Sequence, residues 1–273
     1  MHGPLRNILF IALLGWHVLP VRPQYLSNGS FEGRPAMHQP PPGWYPCKSN
    51  STPDTQPGIW GHTMSASDGG TYLSMVTRGP WGANANSTED CQTELLEELS
   101  PDECYELTID LATCEDCGHT SDIGWISYAR PVILNIYAST ALCQKDMLIA
   151  SFGPVTNFDW QTFRTTFSPS GSGYRYVLLE AGFAEMPEYF GTIVVDNLRL
   201  RKTTIRKTVL TQAPYPGDTI RLQAGPGTSY RWEPEGLLSC THCQAPTATF
   251  EGNLIYSVLI RDSSIICPWR EEF

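Results

Sequence analysis

Two carboxylates, Glu32 and Asp196, are the residues whose type and placement first suggest chemistry. Asp196 lies in Gly191-Thr-Ile-Val-Val-Asp-Asn-Leu-Arg-Leu-Arg201, a run rich in β-branched residues that reads as a strand and leads into a basic, polar linker. Strict alternation places Val194, Asp196, Leu198 and Leu200 on one face, and three of these four are apolar, so that face is expected to look inward. Arg199 and Arg201 have the opposite parity and cannot answer the charge. A lone carboxylate there is expensive to bury, so it must be paired, hydrogen-bonded or bound to a cation. Glu32 closes Asn28-Gly-Ser-Phe-Glu32, and it meets Asp196 if the first and last strands of one sandwich run side by side. Two hard oxygen ligands, with carbonyls from residues 28–30 and the Asp68-Gly-Gly70 turn, suit Ca²⁺. Composition and spacing alone favour the other outcome, in which both carboxylates face solvent or accept backbone N–H bonds at strand ends.

Cysteine is the second chemical set, with nine residues at 47, 91, 104, 114, 117, 143, 240, 243 and 267. Residues 1–24 read as a secretory signal: Arg6 precedes an apolar run from Ile8 to Leu14, continuing to Leu19 and too short to span a bilayer comfortably. Export makes disulfides the default fate of the thiols. The Cys-x-x-Cys pairs 114/117 and 240/243 also have the spacing of zinc ligands, but they are expected in different domains, and an oxidising destination favours disulfides. The odd number leaves at least one thiol free or paired between chains.

The formal net charge is −10, and residues 1–24 hold Arg6 and Arg22 with no acid, so the exported chain is more acidic still. That balance argues against nucleic acid and anionic membrane, which need clustered Lys and Arg. After the leader no run of 18 apolar residues occurs, so no membrane insertion is expected.

The elements that must hold these residues are strands. Alternation or β-branched content marks strands at 71–77, 104–113, 132–138, 161–167, 174–183 and 192–200, while 94–99 fits one helical turn or a strand. Pro- and Gly-rich stretches at 35–61, 78–90 and 118–129 read as long loops. Helical signals are nearly absent, and many short strands with Gly/Pro turns imply an all-β sandwich or barrel. At 273 residues the chain is long enough for about two domains. A boundary near Thr203 separates a tail with its own alternating strands, Ile220 to Ala224 and Leu254 to Ile260, and with Trp232 as a natural core residue. The expected organisation is a leader at 1–24, one sandwich at 25–202 and a smaller one at 203–273.

Asn28-Gly-Ser-Phe-Glu32, followed near the end of the same domain by Val195-Asp-Asn-Leu198, resembles the jelly-roll carbohydrate-binding modules of the galactose-binding-like superfamily. Asp159-Trp-Gln-Thr-Phe163 also matches in position, and the resemblance covers roughly residues 25–201. In those modules a first-strand Glu and a last-strand Asp help hold a structural Ca²⁺, so the resemblance implies Glu32 and Asp196 as its ligands. The tail resembles the PKD/Ig-like modules of secreted, gliding-motility-associated bacterial surface proteins through Ser229-Tyr-Arg-Trp-Glu-Pro234, the 236–246 segment and Tyr256-Ser-Val-Leu-Ile-Arg-Asp262. Those proteins often continue into a C-terminal sorting domain, and Phe273 falls inside or just after the last strand, so the sequence reads as a possible fragment. The implied fold is a jelly-roll β-sandwich followed by a small Ig-like β-sandwich, secreted or on the cell surface. The sequons at Asn28, Asn50 and Asn86 are not expected to carry glycans, given the bacterial resemblance.

Sugar recognition sets flat aromatic rings against the apolar faces of pyranoses, with polar groups for the hydroxyls. Trp60, Trp81, Trp125 and Tyr128 lie on expected loops with Arg78, and with His62 and Asp122 nearby, and are the candidate ligand residues for a glycan or polysaccharide. The alternative is that these rings cap the sandwich ends, which leaves an adhesin or structural surface module with cell-surface partners and no sugar pocket. Glu94, Glu97, Glu98, Asp102 and Glu103 read as a solvated acidic run. No Gly-x-Ser-x-Gly, His-Glu-x-x-His or phosphate-loop motif occurs, so the sequence is read as that of a protein that is not an enzyme.

Overall fold

Alternating side chains sort the first eleven strands into two antiparallel layers and a hairpin. A computed structural model describes residues 24–82, 84–122, 124–203, 206–207, 215–249, 254–264 and 266–273; the expected leader, apart from Gln24, lies outside the described residues. The strands are β1 (Asp54–Gln56), β2 (Tyr72–Thr77), β3 (Asp90–Leu99), β4 (Tyr105–Ala112), β5 (Gly118–Ser121), β6 (Gly124–Ser127), β7 (Val132–Ser139), β8 (Met147–Val155), β9 (Gln161–Phe167), β10 (Tyr174–Phe183) and β11 (Gly191–Lys202). One sheet has the order β1-β2-β11-β4-β9 and the facing sheet the order β3-β10-β7-β8; β5 and β6 pair only with each other. The protein is an all-β jelly-roll sandwich. Its core interleaves Leu107, Ile109 and Leu111 of β4 and Ile193 and Val195 of β11 with Leu134 and Ile136 of β7 and Val177 and Leu179 of β10. Each such side chain contributes roughly 1.5–3 kcal/mol of burial.

The parity expected for β11 fails at one residue. Asp196 pairs with Asp110, but Arg199 pairs with Thr108, so the β11 side of the ladder carries an extra residue. Asn197 takes up the bulge at φ 51°, a left-handed conformation that Asn tolerates. Leu198 and Leu200 therefore join Ile193 and Val195 in the core, while Val194 packs with Tyr72 and Ala112 on the opposite face. Asp196 keeps Val194's parity and points away from the main core.

The chain's first described segment does run beside β11. Tyr25 N donates to Leu200 O at 3.3 Å and Leu198 N to Gly29 O at 2.7 Å. A Cβ on residue 29 would lie 2.1 Å from Leu198 O, so only glycine permits that approach.

The tail contains β12 (Arg206–Lys207), β13 (Thr219–Arg221), β14 (Ser229–Glu233), β15 (Thr247–Thr249), β16 (Ser257–Arg261) and β17 (Trp269–Glu272). A four-stranded sheet, β12-β17-β16-β14, and a two-stranded one, β13-β15, enclose a separate core around Trp232, Leu222, Val258 and Ile260. Trp232 is fully buried, as its sequence position implies, and its indole N–H donates to Cys243 O at 2.8 Å.

Cysteine pairing ties distant segments: Cys47–Cys143 within the sandwich, Cys104–Cys267 from the sandwich to the tail, and the short rings Cys114–Cys117 and Cys240–Cys243. Cys91 is the buried free thiol. Asp102 also meets Arg231 and Arg261 of the tail. These ion pairs are partly exposed and individually weak, so the disulfide is the stronger tie between the two cores.

Candidate functional site

The outer face of the five-stranded sheet is where both sets of sequence-derived candidates converge. The inner face is fully committed to the core, but the outer one is covered by loops, with Met64, Ala66 and Trp160 packing on Tyr72, Ala112 and Val194. Trp160 belongs to this layer, and its indole donates to Ser65 O at 2.8 Å.

Asp196 and Glu32 brace one turn of this cover. Asp196 Oδ2 accepts the N–H groups of Ser67 at 2.7 Å and Asp68 at 2.9 Å, while Oδ1 accepts that of Asn197 at 2.7 Å. Burial pushes the carboxyl up to about 6 even though these three bonds oppose it. Glu32 Oε1 accepts Gly70 N at 2.9 Å and Thr71 N at 3.4 Å. Asp68, on the same turn, accepts Ser30 Oγ at 2.5 Å and meets Arg199 at 3.6 Å. Among the described residues, the group of three or more potential metal ligands with all ligand atoms within 4.8 Å of one another is His62, Cys114 and Cys117, not a set around Glu32 and Asp196.

Farther along the same face a cavity of about 230 Å³ opens between the sheet and the hairpin β5–β6. Asp54 of β1, Val76 of β2 and Thr192 of β11 line it from the sheet; Trp60, His62, His119 and Tyr128 line it from the cover. Glu89 and Arg78 form a buried ion pair in its wall. They stand at the base of the 78–89 loop, where Arg78 N donates to Ser87 O at 2.8 Å and Glu89 N to Val76 O at 3.1 Å. Glu89 also accepts Thr52 N at 3.1 Å and Val76 N at 3.0 Å.

Asp54 has less support. It accepts His38 N at 2.6 Å, yet burial pushes its carboxyl up to about 7, with the Glu89 charge adding to the rise. His62 is 2% exposed, its Nδ1 has no hydrogen-bond partner, and burial depresses it to about 4, so the ring is neutral at neutral pH. An aromatic chain continues outward: Trp60 to His119 at 5.2 Å, His119 to Tyr128 at 5.8 Å and Tyr128 to Phe190 at 5.4 Å between ring centroids.

Phe190 also lines a second, open groove of about 390 Å³ with Trp81, Trp125, Arg130, Glu188 and Tyr189. Trp81 and Trp125 are 63% and 60% exposed, unusual for such large apolar rings. The Arg130 guanidinium lies 3.8 Å over the Tyr189 ring and pairs with Glu185.

The sequence-derived ligand residues thus divide between two adjoining sites. Trp81 and Trp125 meet in the groove, whereas Trp60, Tyr128, Arg78 and His62 line the cavity. Tyr128 is buried rather than displayed on a loop, and Arg78 is held by Glu89. Asp122, at the hairpin turn, lines neither. Asp54, Glu89, His119 and Arg130 were not singled out from sequence. Arg78 and Glu89 were findable as opposite charges at the two ends of one loop; Asp54 was not, because it lies in a stretch whose prolines mask a short strand.

No protein-family model matches the sequence, and no curated protein does. Solved structures similar in fold include a Stig cyclase from Fischerella sp. TAU, 14% identical over 66% of this chain and 97% of that one, with a TM-score of 0.41. Another is the CBM22-1 xylan-binding domain from Paenibacillus barcinonensis Xyn10C, 16% identical over 66% and 95% with a TM-score of 0.40. A third is the K3 cleaved adhesin domain of Lys-gingipain from Porphyromonas gingivalis, 13% identical over 65% and 97% with a TM-score of 0.42. At such identities the likeness concerns the fold alone. One expectation is corrected and withdrawn: the sequence reads as that of a protein that is not an enzyme, but Stig cyclases, which are enzymes, are among the structures similar in fold. Among the described residues no helix is long and apolar enough to cross a membrane.

Proposed function

We propose that the protein binds a glycan or polysaccharide in the Trp81–Trp125 groove. The observation that carries this reading is the convergence of two exposed indoles on one groove that also holds a guanidinium and a carboxylate, Arg130 and Glu188. Indole faces stack on pyranose C–H surfaces, and the charged groups bond hydroxyls. The adjoining cavity would receive a branch or terminal group. Four disulfides fit an oxidising, extracellular setting, and the tail is read as a PKD/Ig-like spacer at the cell surface. A glycan array tests the reading. Trp81→Ala and Trp125→Ala should each lower affinity for any bound glycan about tenfold or more, since one aromatic platform is worth roughly 1.5 kcal/mol, with an unchanged melting temperature. Absence of any glycan ligand, or full binding by both variants, replaces it with an adhesin or structural module.

A structural Ca²⁺ at Glu32 and Asp196 belongs to the same reading. Its support is that both carboxylates converge on the 67–71 turn with Asp68 beside them. The ion would have to share oxygens that already accept N–H bonds. At a hundredfold excess over Kd it would add about 2.7 kcal/mol, so chelator should lower the wild-type melting temperature and leave that of Asp196→Asn unmoved. No chelator effect, with no calcium by elemental analysis, removes the ion.

A further inference from the structure

Two disulfides of the same short ring differ in what stands beside them. Next to Cys240–Cys243, the exposed His242 is engaged, with Nδ1 3.1 Å from the Tyr230 carbonyl oxygen. Next to Cys114–Cys117 stands His62, almost wholly buried, with Nδ1 unpartnered. Buried polar atoms are nearly always satisfied, so an orphan nitrogen marks a place for a group that the chain does not itself supply. A ring nitrogen of His62 and the sulfurs of Cys114 and Cys117 all lie within 4.8 Å of one another, and His62 and Cys117 both face the cavity.

We propose that, once the Cys114–Cys117 disulfide is reduced, His62, Cys114 and Cys117 bind a Zn²⁺ ion with its fourth position open to the cavity. Two thiolates and an imidazole are zinc ligands, and three protein ligands with one free position is the arrangement of reactive rather than purely structural zinc. The chemistry balances. A dithiol gives two electrons to the S–S bond and becomes a disulfide itself, leaving two protein thiols. Zn²⁺ then displaces both thiol protons. The resulting centre has no net charge, which suits a buried location. The ring spans 3 positions of sequence, as Cys240–Cys243 does, so either constrains the unfolded chain far less than the pairings across 96 and 163 positions. The proposal is independent of glycan binding.

The test uses the full chain, reduced mildly, with the opened pairs identified by alkylation and mass spectrometry, and titrated with Co²⁺ as the spectroscopic probe. One Co²⁺ per chain is expected, with visible bands of a thiolate-ligated tetrahedral site that Zn²⁺ bleaches. His62→Gln should lose those bands, and the double variant Cys240→Ser, Cys243→Ser should keep them. Absence of bands when Cys114 and Cys117 are shown to be reduced overturns the proposal, as does their survival in His62→Gln. If reduction unfolds the chain, refolding the reduced protein decides it: recovery that requires Zn²⁺ supports the site, and equal recovery without the metal overturns it.

Discussion

At one end of the outer sheet face Asp196 gives its oxygens to three backbone N–H groups; at the other, Asp54 is buried beside Glu89 with His38 N as its backbone donor. Both carboxyls are raised by burial, to about 6 and about 7. The difference lies in what the charge does. Asp196 organises a turn, and three chain N–H groups offset part of the cost of its burial. Around Asp54 the fold leaves an acid poised near neutrality, an imidazole with an idle nitrogen and open volume. The first end holds the cover in place, and the second leaves buried polar groups facing an open cavity.

Arg78 supplies the sharpest way to break this comparison, because it makes part of the cavity structural too. Arg78→Met leaves Glu89 buried beside the Asp54 carboxyl without its cation, and should cost about 3 kcal/mol in denaturant unfolding. A loss below about 1 kcal/mol would mean that the N–H bonds from Thr52 and Val76 suffice for Glu89. Asp196→Ala should cost somewhat less, about 2 kcal/mol, as the Ser67 and Asp68 N–H groups lose their acceptor. No loss would show that the turn stands without its carboxylate.

Asp54→Asn should have the smallest effect and the opposite sign. The folded acid titrates near 7 and the ordinary value is 3.8, so the folded state holds the proton more tightly. Stability from this group is present below pH 4 and is lost as pH rises toward 7. Asparagine keeps an acceptor for His38 N without the charge. The variant should therefore gain over wild type between pH 5 and pH 8 by on the order of 1 kcal/mol, read from melting at each pH. His62, depressed to about 4, works the other way and removes stability as pH falls below its ordinary 6.5. A pH-independent difference between Asp54→Asn and wild type would mean that the acid is not poised as described.

What the sequence showed and what it hid follow from range. The six expected strands and the Trp232 core rest on local alternation, which a sequence displays directly. Asp196 was recognised as a buried charge in need of partners, yet the face was misassigned, because a single bulge at Asn197 reverses every later parity. β8 was missed because Pro154 argues against a strand, and its place at the sheet edge is what tolerates a residue with no N–H. The β5–β6 hairpin carries little apolar alternation and so read as loop. Cysteine pairings across 96 and 163 positions depend on the finished fold and leave no local mark.

The Cys104–Cys267 link has a mechanical side. Tension applied between a point before Cys104 and one after Cys267 would travel through one covalent bond and bypass the 163 positions it spans. Roughly 550 Å of extensible contour is thereby withheld from the load. β11 and the Leu222, Trp232, Val258 and Ile260 side chains of the tail core sit in that shielded stretch, whereas β17 and Phe273, whose ring packs on Trp232, lie outside it. A protein pulled by whatever it holds would keep those parts folded while strain falls on the segments outside the loop. Reduction would turn a short, stiff connector into a long, compliant one.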